Sequence, residues 1–191
     1  MRGLAISLLL VLVLPTESFA GAKTGEKKAQ LCLLCHKLAN ANAPMALMPL
    51  LEAQPARYVY LQTKAYKEKR RPGPVMQTNV ASLSDRDMRD IADYFAAQKP
   101  LRASYQLDPA KTAAGRTKAE ELKCATCHLP SFVGKGEVPR LAGQTPGYLN
   151  AQLEAFQAGK HPHGTGQGTA PAVKLSEQEV EGLAHFLASS E

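Results

Sequence analysis

Residues 32–36 read CLLCH and residues 124–128 read CATCH. Each stretch sets two thiols one helical turn apart, with an imidazole directly after the second. At that spacing the thiols can bond the two vinyl groups of one haem while the histidine reaches the iron from the same side, which is the c-type attachment pattern. The residues therefore predict two covalently bound haem c groups. Cys32, Cys35 and His36 would hold the first, and Cys124, Cys127 and His128 the second. These are all the cysteines of the chain. A zinc site needs four ligands and could be made only by pooling the two groups. A redox dithiol would need neither the histidine nor the second copy.

The elements that must position these groups also come in pairs. MPLLEAQPARYVYLQTKAY (48–66) parallels VPRLAGQTPGYLNAQLEAF (138–156), and LSDRDMRDIADYF (83–95) parallels LSEQEVEGLAHFL (175–187). The offset is 92 residues at the CxxCH stretches, 90 at the middle segment and 92 at the last. One element order used twice implies two similar domains. The patterns read as helical throughout. A short helix over 24–35 and again over 112–126 carries the CxxC, a second runs over 57–68 and 147–158, and a third opens on a capping box, Ser84 with Asp87 and Ser176 with Glu179. In that third helix Met88, Ile91, Ala92 and Phe95 recur at helical spacing, as do Val180, Leu183, Ala184 and Leu187. No segment shows a convincing strand alternation, so the predicted class is all-α.

Residues 1–20 read as a secretory signal peptide: Arg2, an apolar run from Leu4 to Leu14, Pro15, then small residues around Ala20. The predicted mature start is Gly21, and the mature chain is expected to be exported. The linker is expected near 99–110, giving domains over 21–102 and 103–191. Domains of that size, made of short helices, bury little surface alone, and a large central cofactor would serve as a staple.

Pro-x-Leu-x-x-Gln-x-x-x-Tyr (Pro49 to Tyr58, Pro139 to Tyr148) and the Leu-Ser-Asp/Glu opening of the last helix accompany both CxxCH stretches. In both halves the chain resembles the cytochrome c4 family of two-haem periplasmic cytochromes. The resemblance implies two tandem class I cytochrome c domains packed about a pseudo-twofold axis, with electron transfer as the function. It also implies a His/Met pair at each iron, with the methionine supplied by the loop before Leu-Ser-Asp.

In the first half that loop is RRPGPVMQTNVASLSD, and Met76, seven residues before Leu83, stands where the family places its ligand. Met88 is expected in the core, since its repeat partner is Val180. Met48 precedes a proline and Met45 has no repeat support. In the second half the same position is Gly168, and no methionine follows Met88. The second loop, KHPHGTGQGTAP (160–171), offers His161 and His163 instead. His161 aligns with Arg71, His163 lies nearer the missing methionine, and His185 reads as a surface residue. Three readings stay open: His163 as the ligand of a His/His haem 2, with His161 as the lesser candidate; an open or water-bound iron; or solvated histidines in a degraded loop. Methionine raises a haem potential relative to a second imidazole. Under the first reading electrons would enter at haem 2 and leave from haem 1.

The net charge of +6 is unevenly shared. Residues 21–102 hold 14 Lys/Arg against 7 Asp/Glu, and residues 103–191 hold 8 against 9. The basic stretch KAYKEKRR (64–71) predicts redox partners that are acidic where they meet domain 1. Arg57 and Arg140 lie near the repeated motif and could face haem propionates or solvent. Nucleic acid is not expected as a partner, given the export signal and the lack of a binding motif. Membrane association would be peripheral at most, since no amphipathic anchor is present. The expected function is an electron shuttle. Its rivals are a haem enzyme or small-ligand binder with an open haem 2, and a subunit of a larger dehydrogenase or oxidase complex.

Overall fold

The computed structural model of the chain describes residues 17–37, 47–101, 105–160 and 174–191. Residues 1–16 of the expected leader, Met45, part of the linker, and the loop bearing His161 and His163 lie outside the described residues. Among those described, the first half contains α1 (Glu17–Lys28), α2 (Gln30–His36), α3 (Ala56–Lys67), α4 (Pro74–Val80) and α5 (Asp85–Ala96). The second contains α6 (Pro109–Glu121), α7 (Ala125–His128), α8 (Pro146–Gln157) and α9 (Glu177–Ser189). Extended pairing among the described residues is confined to one isolated bridge, Lys135 with Val138.

Both halves are built on one crossing. In the first, α1 packs on α5, and a Cβ added to Gly25 would lie 1.9 Å from the Asp90 carbonyl oxygen. In the second, α6 packs on α9, and a Cβ on Gly115 would lie 1.9 Å from the Gly182 carbonyl oxygen. Only glycine allows such an approach. The expected capping boxes are present on α5 and α9, each closed by serine and acid reciprocally. A lysine then ties each crossing to its box. Lys28 Nζ meets Asp87 at 2.6 Å, and Lys118 Nζ meets Glu179 at 2.8 Å.

These equivalent pairs reveal a register change that the CxxCH offset conceals. Gly25/Gly115, Lys28/Lys118 and the buried pair Ala29/Ala119 are each 90 residues apart, whereas the CxxCH stretches are 92 apart. The second half therefore holds two additional residues between its first helix and its cysteines. In the first half α1 runs into α2 almost without a break, with Leu33 N–H donating to the Ala29 carbonyl at 3.0 Å. In the second, Lys123 turns left-handed (φ +54°) and a separate short helix, α7, follows. The helix predicted over 112–126 is thus two helices.

The predicted inner faces of the third helices are the cores. Met88, Ile91, Ala92 and Phe95 are buried, as are Val180, Leu183, Ala184 and Leu187. Val59 and Tyr60 of α3 pack with Met88 and Ala92. Leu149 and Phe132 join the second core, where Phe132 meets Phe186 edge to face at 5.4 Å.

The halves are joined by a reciprocal clasp. Gln144 accepts from Leu50 N–H at 2.8 Å and donates to the Leu50 carbonyl at 3.0 Å. Gln54 accepts from Arg140 N–H at 3.0 Å and donates to the Arg140 carbonyl at 2.7 Å. Gln54 and Gln144 are repeat equivalents, as are Leu50 and Arg140. Each glutamine satisfies both backbone groups of its counterpart's neighbour, the pattern of a self-complementary twofold contact drawn within one chain. His185, expected at the surface, is half-buried, and its Nδ1 accepts from Asp108 N–H at 3.0 Å, fixing the start of α6 on α9.

Candidate functional site

Cys32, Cys35 and His36 share α2, and Cys124, Cys127 and His128 share the single turn around α7. Both histidines are buried. His36 Nδ1 lies 2.8 Å from the Pro49 carbonyl oxygen, and His128 Nδ1 lies 3.0 Å from the Pro139 carbonyl oxygen. A carbonyl only accepts, so Nδ1 carries the proton and Nε2 presents its lone pair. A metal-binding imidazole is commonly held in this way through its other nitrogen. Burial pushes the His36 value down, which keeps the ring neutral. The two prolines open the repeated Pro-x-Leu motif, so one function of that motif is to orient the histidine of its own half.

None of the four cysteines is in a disulfide, and burial pushes the Cys32 and Cys124 thiols up. Two thiols and one oriented imidazole per half form the donor set that covalent haem attachment needs, and it is present twice. Among the described residues no three or more His, Cys, Asp or Glu side chains converge as a metal site, so the pooled zinc arrangement gains no support there.

Met76 stands on α4, a helix where sequence alone suggested a loop. Pro74 at its first turn and the preceding glycine are the signal that could have found it. Met76 is half-buried, and the adjacent Gln77 donates to the Arg71 carbonyl at 2.9 Å. His161 and His163 fall outside the described residues, so this loop enters the structural account by its sequence alone.

The basic stretch 64–71 is not exposed throughout. Arg71 is 6 % exposed and reaches into the contact between the halves. Lys64 pairs with Asp85 at 3.5 Å and Arg70 with Glu68 at 2.5 Å, leaving Lys67 and Lys69 exposed. Arg57 forms an exposed ion pair with Glu137 across the halves at 3.0 Å. The main chain of Arg140 is taken by Gln54, and burial pushes its guanidinium value down.

Sequence reasoning also missed Glu52. Its carboxylate is buried, and Oε2 has no hydrogen-bond partner among the described residues. It borders a small cleft between the halves, with room for about one water, shared with Gln54, Arg140 and Gln144. The large apolar residues that remain exposed among those described, Leu31, Leu34, Leu47 and Val75, all belong to the first half.

The family model described as cytochrome c matches residues 112–191. Cytochrome c4 of Pseudomonas aeruginosa is 34% identical, with 98% of each chain covered. The thiosulfate dehydrogenase electron acceptor of Thiomonas intermedia is 27% identical over 85% of this chain and 79% of its own. Among solved structures, reduced recombinant cytochrome c4 from Pseudomonas stutzeri superposes with a TM-score of 0.74 at 30% identity, covering 89% of this chain and 98% of that one.

Proposed function

The chain belongs to the cytochrome c4 family, and we infer from that premise a periplasmic electron shuttle with two unequal haems. It is an all-α protein of two class I cytochrome c domains with two covalently bound haem c groups, and it acts in electron transport as a carrier. The finer reading assigns domain 1 to residues 21–102 and domain 2 to 103–191, after a leader over 1–20.

The observation that carries the reading is the duplicated histidine site, His36 on the Pro49 carbonyl and His128 on the Pro139 carbonyl, each beside a free pair of thiols. When bound, each haem supplies a one-electron couple at its iron. The chain's own residues do the rest. Cys32 and Cys35, and Cys124 and Cys127, anchor the group. His36 and His128 present Nε2 to the iron while their Nδ1–H groups stay fixed. Met76 would be the sixth ligand of haem 1, supported by its half-buried place on α4 before Leu-Ser-Asp. His163 is the sixth ligand of haem 2, supported by the absence of any methionine after Met88 and by the two-residue gain in that loop. Haem 1 is then the higher-potential centre. The same lack of methionine favours a second reading, in which haem 2 is open and binds a small molecule.

The partners are redox proteins whose acidic face meets domain 1. Domain 1 carries the positive charge, and Leu31 and Leu34, 58 % and 66 % exposed, lie one turn apart beside the attachment cysteines. A helix advances about 100° per residue, so these two leucines project from a different flank than Cys32, Cys35 and His36. Lys23, Lys27 and Lys37 are exposed around them and form no ion pair among the described residues. The equivalents of Leu31 and Leu34 in the second half are Lys123 and Thr126, which offer no such apolar patch. A relative named as the electron acceptor of thiosulfate dehydrogenase supports a periplasmic dehydrogenase as the class of donor.

A potentiometric titration under argon and then under carbon monoxide tests the reading. The expected result is two reversible one-electron steps per chain, neither moved by carbon monoxide. Fast, stoichiometric binding of carbon monoxide at one reduced haem would contradict the closed haem 2 and favour the second reading.

A further inference from the structure

Arg71 is a buried guanidinium whose partners among the described residues are neutral groups. Nη1 donates to Gln62 Oε1 at 2.7 Å, and Nη2 donates to Gln152 Oε1 at 2.6 Å and to the Tyr148 hydroxyl at 3.0 Å. Its plane lies over the Tyr66 ring, 4.7 Å from the centroid. Burial pushes the Tyr58 and Tyr66 phenols up, so the surrounding rings stay neutral. A buried charge is costly unless its donors are well satisfied, and amide oxygens, a phenol and a ring face contribute to that here. Two of these groups, Tyr148 and Gln152, belong to α8 of the second half, and Gln62 and Gln152 are repeat equivalents.

The same residue sets the course of the chain into α4. The Arg71 N–H donates to the Ala65 carbonyl at 3.1 Å, and the Arg71 carbonyl accepts from Gln77 Nε2 at 2.9 Å. Gly73, at the helix start, lies against the far side of the same cluster: a Cβ there would come within 2.7 Å of Tyr66 Cε1. The entry to α4 is therefore built on Tyr66 and Arg71, and Arg71 is held in part by the other half.

We propose that Arg71 is a positioning residue through which the second half holds α4, and with it Met76, in place. The first haem's distal side is then set by both halves, and loosening α8 loosens α4. The equivalent position in the second half is His161, outside the described residues, so the clamp is assigned to the first half. The consequence for the iron rests on Met76 being its ligand; the consequence for α4 does not.

The test uses the full haem-loaded protein with Gln152→Ala and, as the gentler change, Tyr148→Phe. The first readout is amide hydrogen exchange in 75–81, with α5 as internal reference. The clamp predicts exchange at least about tenfold faster in α4 of Gln152→Ala, the scale expected when a hydrogen bond to a charged group is lost, with α5 unchanged. The second readout is the sulfur-to-iron charge-transfer band of the ferric protein and the midpoint potential of the higher-potential haem, both of which should fall. Met76→Ala, measured in parallel, separates the two ideas: a band that survives it refutes the ligand assignment and leaves the exchange result to decide the clamp. Exchange in α4 unchanged from the parent in both α8 variants would overturn the proposal.

Discussion

At the scale of single residues, the repeat works as an internal control, because each position has been solved twice. Ala53 sits at φ +58°, while its equivalent Gly143 sits at φ +70°. A left-handed backbone costs an L-residue roughly 1 kcal/mol relative to glycine. Ala53→Gly should therefore stabilise the protein by up to about 1 kcal/mol in urea unfolding, less what glycine adds to the entropy of the unfolded chain. Glu52 stands where the second half has Ala142, and burial pushes its carboxyl value up. The folded state then holds that proton more tightly than the unfolded chain. Stability is lost as pH rises from the ordinary carboxyl range through the Glu52 value. Glu52→Gln should abolish that loss and raise stability at pH 7 by on the order of 1 kcal/mol; unfolding curves for the two proteins that run parallel from pH 4 to 7 would refute it. The CxxCH stretches were the most legible part of the sequence, since they form a local pattern with one geometry. Arg71 was the least. In a basic stretch it looked like its neighbours, and its burial depends on Tyr148 and Gln152, 77 and 81 residues away.

At the scale of elements, the capping boxes and the inner faces of α5 and α9 could be read directly, because both signals lie within one helix. The boundary between α6 and α7 could not. It is set by two extra residues and the left-handed Lys123, and the CxxCH offset of 92 hides them by absorbing the change in register. Helix α4 was missed because Pro72-Gly73-Pro74 reads as a breaker, when Pro74 in fact opens a helix. The lysine from the neighbouring helix adds a pH signature to the caps. Glu179 is held down to about 2, first by Lys118 and then by the Ser176 amide. A depressed carboxyl contributes stability that is complete above its unfolded value of 4.5 and is lost as pH falls toward 2. Thermal unfolding between pH 5 and 2 should thus be steeper in pH for the parent than for Glu179→Gln. Equal slopes would mean that the Lys118 link contributes nothing to folding.

At the scale of the whole molecule, the duplication was legible but the way its halves meet was not. The glutamines of the repeated motif marked a resemblance. Only the structure shows Gln54 and Gln144 crossing to the opposite backbone. Removing both leaves the buried main-chain groups of Leu50 short of partners, at about 1–3 kcal/mol for each unsatisfied group, and the part-buried ones of Arg140 at less. Gln54→Ala with Gln144→Ala should therefore split a single calorimetric transition into two, one per half. A single transition at the parent temperature would show that the clasp does not couple them. The charge and apolar asymmetry belong to this scale as well, since they distinguish two domains of one design and support the proposed docking of a partner on domain 1. The two irons are proposed to differ in their sixth ligand. The most direct measurement is low-temperature electron paramagnetic resonance of the fully ferric protein, integrated against two haems, for the parent and for His163→Ala. Two distinct low-spin signals are expected in the parent, with conversion of one of them to high spin in the variant. One low-spin and one high-spin signal in the parent, unchanged by the substitution, would contradict it.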